Sequence, residues 1–137
     1  MKVSQTTFDP ESDPEVKRFM EALISRGFEL YQTMFSPQSF GDFLVDLCSR
    51  TICCRLVRDR SQWSIEIRVR TSGEWFDLMA VRVVIVGSPG ALDWPIREQI
   101  EFLIEHFDPI ESIFDPVRFS SSEAELRAAQ NSLCPLM

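Results

Sequence analysis

The chain has 137 residues, 45% of them hydrophobic and 26% charged, a balance that fits one globular domain and excludes a disordered chain. Its formal net charge of −7 argues against general affinity for a phosphate backbone, which needs a clustered positive field. No run reaches the roughly 18 apolar residues that a membrane helix requires.

The opening stretch, MKVSQTTFDPESDPEV, is polar and acidic and bears two prolines, unlike a secretory signal. A cytoplasmic location is the expectation, and with it reduced thiols at Cys48, Cys53, Cys54 and Cys134. Residues 1–12 are expected to form a flexible arm, and 13–137 a single domain. Asp13-Pro14 gives a helix start, with a carboxylate to cap free amides and proline at the first helical position. Val16, Phe19, Met20, Leu23 and Ile24 follow at helical spacing, and Gly27 ends the helix.

A strand is predicted from Phe28 to Met34, where apolar Phe28, Leu30 and Met34 alternate with Glu29, Tyr31 and Thr33. A turn at Ser36–Ser39 leads into a second strand, Phe40 to Cys48, and Ser49–Thr51 turns into a third, Ile52 to Arg58. RDRSQWSIEIRVR, Arg58 to Arg70, carries the clearest pattern. Trp63, Ile65, Ile67 and Val69 fall on one face of a fourth strand, and Gln62, Ser64, Glu66, Arg68 and Arg70 on the other. Four runs joined by short links predict an antiparallel meander.

Residues 74–86 mix signals: the valines favour a strand, while Asp77 as a cap, then Leu78, Val81 and Ile85, favours a short helix ending at Gly87. The helix is preferred. Asp93-Trp94-Pro95 opens a further helix with Ile96, Ile100, Leu103, Ile104 and Phe107 on its buried face. Pro109 kinks it or starts a second helix capped by Asp108, and Asp115-Pro116 ends the run. A last helix, capped by Ser120 to Ser122, would pack through Leu126, Ala129 and Leu133. The fold class that follows is α+β: an N-terminal helix, a four-stranded antiparallel meander, and C-terminal helices on one face of the sheet.

Catalytic equipment is sparse. His106 is the lone histidine, no G-x-S-x-G elbow or glycine-rich phosphate loop occurs, and the GSPG at Gly87–Gly90 reads as a turn. Asp59 and Glu66 stand among arginines on a face expected to be wet, which suits surface ion pairs better than acid–base chemistry. No catalytic residue, metal ligand or cofactor is assigned. Cys53 and Cys54 on a strand would point to opposite faces, and no C-x-x-C spacing suggests zinc.

Four segments resemble a family of small uncharacterised bacterial proteins grouped with the immunity proteins of toxin systems. They are SFG at Ser39–Gly41, RLVRDRSQWSIEI at Arg55–Ile67, EWFDL at Glu74–Leu78 and REQIEFLIEHFDPIESIFDP at Arg97–Pro116. The resemblance implies an α+β fold and a non-enzymatic module that neutralises a bacterial toxin, with no catalytic residues to transfer. On that reading Glu98, Glu101, Glu105, Asp108 and Glu111 are the candidate contacts to a basic protein partner, with Asp9, Glu11, Asp13 and Asp115 as further acids. The alternative is a small-molecule or nucleic-acid binder that uses Arg55, Arg58, Arg60, Arg68 and Arg70. The parity of Trp63 against Arg68 and Arg70 disfavours nucleic acid, because stacking aromatics would have to share the basic face.

Overall fold

A computed structural model describes residues 13–36, 42–60, 62–71, 74–88 and 93–133. Helix α1 (Pro14–Ile24) precedes strands β1 (Glu29–Ser36), β2 (Asp42–Cys48), β3 (Ile52–Asp59), β4 (Gln62–Val69) and β5 (Phe76–Asp77). Helices α2 (Leu78–Val86), α3 (Ile96–Glu105), α4 (Phe107–Ile113) and α5 (Phe119–Leu133) follow. The expected arm at 1–12, with Asp9 and Glu11, and Cys134 lie outside the described residues.

The fold is α+β, and its sheet is a meander of five strands rather than four, in the order β1-β2-β3-β4-β5 with every pairing antiparallel. The extra strand is the two residues Phe76 and Asp77, too short to leave a period in the sequence. Residues 74–86 thus hold both of the conformations that their composition mixes. Asp77 ends β5 and caps α2 by accepting from Met79 N at 2.8 Å, and Gly87 ends the helix at φ +88°.

Parity along the strands sorts the two faces. Val45, Leu56 and Ile65 stand opposite one another, as do Leu47, Cys54, Ile67 and Phe76, and all seven are buried. The helices cover this face. Phe19 and Leu23 of α1, Leu78 and Val81 of α2, Ile100 and Leu103 of α3, Ile110 of α4 and Leu126 of α5 join one core with the strands. Each such side chain contributes about 1.5–3 kcal/mol of transfer free energy. Trp63, at the end of β4, is half-buried and meets Phe43 edge-on at 5.3 Å.

Several local expectations need correction. β1 carries a register shift between Leu30 and Gln32, which places Leu30 opposite Leu47 and Met34 opposite Leu44, on different faces, and both are exposed. α3 opens directly after Asp93-Trp94-Pro95, as expected, with Pro95 at its N-cap and no side-chain cap. α4 begins at Phe107 with His106, not Asp108, in the cap position. That break puts Pro109 in the first turn, where its missing N–H leaves no bond unmade. Ser120 to Ser122 lie inside α5, whose first residue is Phe119.

The cysteines depart furthest from expectation. Cys48 and Cys53 face each other across β2 and β3 and are joined by a disulfide, so these two thiols are not reduced. Cys54 points to the opposite face and is free and buried. Burial pushes its thiol well above the ordinary range, so it stays protonated and inert.

Candidate functional site

The five acids singled out on the C-terminal helices lie along one solvent-facing ridge. Glu98, Glu101 and Glu105 recur at helical spacing on α3, and Asp108 and Glu111 continue the row on α4; all five are exposed. The buried stripe of Ile100, Leu103, Phe107 and Ile110 holds the two helices against the core and so fixes where the row points. Two members are paired: Glu101 with Arg18 at 3.8 Å, and Asp108 with Arg26 at 3.2 Å. Among the described residues no basic group pairs with Glu98, Glu105 or Glu111. Asp13 is not part of this row, since its carboxylate accepts from Glu15 N and Val16 N as the cap of α1. Asp115 accepts from Val117 N in the turn after α4.

The arginines do not form one cluster. Arg55 and Arg68 lie on the sheet face away from the main core, where both guanidiniums sit over the ring of Trp75, at 4.0 and 4.8 Å from its centroid. Arg55 Nε also donates to Glu66 at 2.6 Å. Arg58 lies on the other face, over Phe43 and Trp63 at 5.1 and 5.5 Å. Arg60 occupies the β3–β4 turn at φ 53°, its backbone N–H donating to Asp42. Arg70 Nη1 donates to Ser49 O at 2.6 Å.

Across the middle of that outer face runs a polar row in register: Gln32, Asp46, Arg55, Glu66 and Asp77, one residue from each strand. Asp46 is 3% exposed; one carboxylate oxygen accepts from Gln32 Nε2 at 2.9 Å and the other, Oδ1, has no hydrogen-bond partner among the described residues. Burial raises its pKa, with the Gln32 bond and the charges of Arg55 and Arg68 pulling the other way. Asp77 is raised by burial too, offset by its bond from Met79 N. Sequence reasoning missed Gln32, Asp46 and Asp77 as members of this row, and Trp75 as the ring beneath Arg55 and Arg68. Asp46 alternates correctly with Val45 and Leu47, but parity alone says only that it leaves the core.

Asp59 and Glu66 are not brought together: Asp59 stands opposite Gln62, and Glu66 opposite Arg55. His106 lies half-buried at the α3–α4 break, stacked on Phe102 with 4.1 Å between ring centroids, and its Nδ1 is 3.2 Å from Phe102 O. Among the described residues no three His, Cys, Asp or Glu side chains gather as a metal site would require, and no helix is long and apolar enough to cross a membrane. Comparison with family models, with curated proteins and with solved structures finds no match to this chain.

Proposed function

We propose that the chain is a non-enzymatic protein-binding module whose α3–α4 ridge engages a basic partner, and that the partner is a toxin domain, as the resemblance to immunity proteins implies. One observation carries the reading: Glu98, Glu101, Glu105, Asp108 and Glu111 are all exposed, and among the described residues three of them form no ion pair. Such a row steers a basic partner into encounter and discriminates against acidic ones. The alternative, a ligand site on the arginines, has less support, because Arg55, Arg58, Arg60, Arg68 and Arg70 are dispersed over both faces and the turns, and Arg55 is already matched to Glu66.

The test is capture from a lysate of the native host by the immobilised protein and by its Glu98→Gln/Glu105→Gln/Glu111→Gln variant, at low and high salt. The expected result is a basic protein retained by the wild type at low salt, released at high salt and retained poorly by the variant. Equal retention by the variant, or no basic protein at low salt, would overturn the proposal.

A further inference from the structure

β5 pairs only with Glu66 and Ile67 of β4. Beside Gln62 to Ile65 the described residues therefore place no fifth-strand partner, and among them that stretch of β4 is a sheet edge. The chain leaves the sheet at Asp77 to begin α2, and α3 begins after Pro95. Between this edge and these two helix starts lies a cleft of about 620 Å³. That volume suits a small ligand or one inserted side chain, since such sites span roughly 300–1,000 Å³.

Two tryptophans, Trp63 and Trp94, and three aspartates, Asp59, Asp77 and Asp93, line the cleft, and its described lining includes no basic side chain. Gln99 joins them. It is 6% exposed, and its Nε2 donates to Trp94 O at 2.8 Å and to Trp63 O at 3.4 Å. Both partners are carbonyls, so the amide nitrogen must face them. Gln99 is part of the cleft lining, and no described residue donates to its Oε1, which is left as an acceptor.

Charge decides what the cleft admits. The free N-terminus of α3 is equivalent to about half a positive charge, and three carboxylates outweigh it. Glu98 in the first turn of α3 already offsets that helix end. Every polar side chain set at full charge here is an acceptor, which excludes anions. The indole walls exclude a hydrated metal ion as the best fit and favour a cation with a flat or alkyl body, because an indole face attracts such a cation. The fold uses this chemistry outside the cleft: Arg58 lies 5.5 Å from the Trp63 ring centroid and Arg82 4.7 Å from that of Trp94, and neither guanidinium lines the cavity.

We infer that this cleft binds an organic cation, a guanidinium or alkylammonium group held by Trp63 and Trp94, with Asp59 and Asp93 as counter-charges and Gln99 Oε1 as an acceptor. The site is separate from the α3–α4 ridge and does not depend on it. A free amine and the basic side chain of a polypeptide offer the same group.

The indole N–H resonances of the three tryptophans read the outcome separately. Trp75, covered by Arg55 and Arg68, serves as the internal reference. The probes are arginine methyl ester, spermidine and a short neutral peptide with one arginine, with N-acetylglutamate as the anionic control. The expected result is a saturable shift of the Trp63 and Trp94 signals with the cations only. Asp59→Asn/Asp93→Asn, both at exposed positions, should weaken binding at least about tenfold, as loss of a charge-assisted bond does. The Glu105→Gln/Glu111→Gln variant, which keeps Glu98 at the start of α3, should bind as the wild type does, which separates this site from the ridge. Tighter binding of the peptide assigns the cleft to a polypeptide side chain, and tighter binding of a free amine assigns it to a small molecule. No saturable shift with any cation, an equal shift at Trp75, or full binding by the double variant would overturn the inference.

Discussion

Asp46 shows what one buried charge costs this sheet. The unfolded chain holds this carboxyl at the ordinary value of 3.8, and the fold raises it. Between the two values the native state binds more protons than the unfolded state, so the contribution of Asp46 to stability falls as pH rises through that window. Above it the native sheet carries a carboxylate whose Oδ1 has no partner among the described residues. Asp46→Asn is therefore expected to be more stable than the wild type at neutral pH and to lose part of the decline between acid and neutral conditions. Urea unfolding of both proteins at pH 4 and pH 7 checks this; an Asn variant less stable at pH 7 would mean that the fields of Arg55 and Arg68 outweigh burial. The residue was legible as outward-facing. Its burial was not, because alternation alone leaves an outer face wet, while the neighbours of Asp46 there, Gln32 and Arg55, come from the adjacent strands.

At the scale of the element, caps and cross-links give measurable terms. Asp13 accepts from two free amides of α1, so Asp13→Ala should cost about 1 kcal/mol in urea unfolding, and Asp13→Asn much less. The Cys48–Cys53 bridge closes a loop with a sequence separation of 5. A loop that short restricts the unfolded chain little, so reduction should lower stability by only about 2 kcal/mol and leave the protein folded. Far-ultraviolet circular dichroism and urea midpoints with and without reductant test this, and unfolding on reduction would refute it. The elements themselves were unevenly readable. β4 was visible because Ile65, Ile67 and Val69 alternate without a break, and α1 because Asp13-Pro14 and Gly27 mark both ends. The shift at Tyr31 was hidden, since Leu30 and Met34 keep an unbroken period in sequence while the bulge moves them to different faces. The disulfide was hidden too, because it depends on β2–β3 register and not on cysteine spacing.

For the whole molecule the dominant long-range property is a net charge of −7. Self-repulsion of that size destabilises the compact state at low ionic strength and is screened as salt is added. The melting temperature is expected to rise by a few degrees between a low-salt buffer and about 0.15 M salt, where the screening length is about 8 Å. Neutralising Glu98, Glu105 and Glu111 should flatten that rise, and an unchanged salt slope would count against a repulsive ridge. The acidic row was legible within each helix, where spacing lines up Glu98, Glu101 and Glu105 on α3 and then Asp108 and Glu111 on α4; the break at His106 was not. The cleft was not, since Asp59, Trp63, Asp77, Asp93, Trp94 and Gln99 are far apart in sequence and meet where the two-residue β5 gives way to α2.

Strand order also has a kinetic consequence. Every strand hydrogen-bonds to its neighbour in sequence, so the sheet can zip in chain order with little loop-closure entropy to overcome. On the ribosome β1 to β4 emerge before α3, α4 and α5, which later cover Ile65 and Ile67. The nascent sheet therefore spends that interval with much of one oily side uncovered, and this is the period in which a holdase would protect it best.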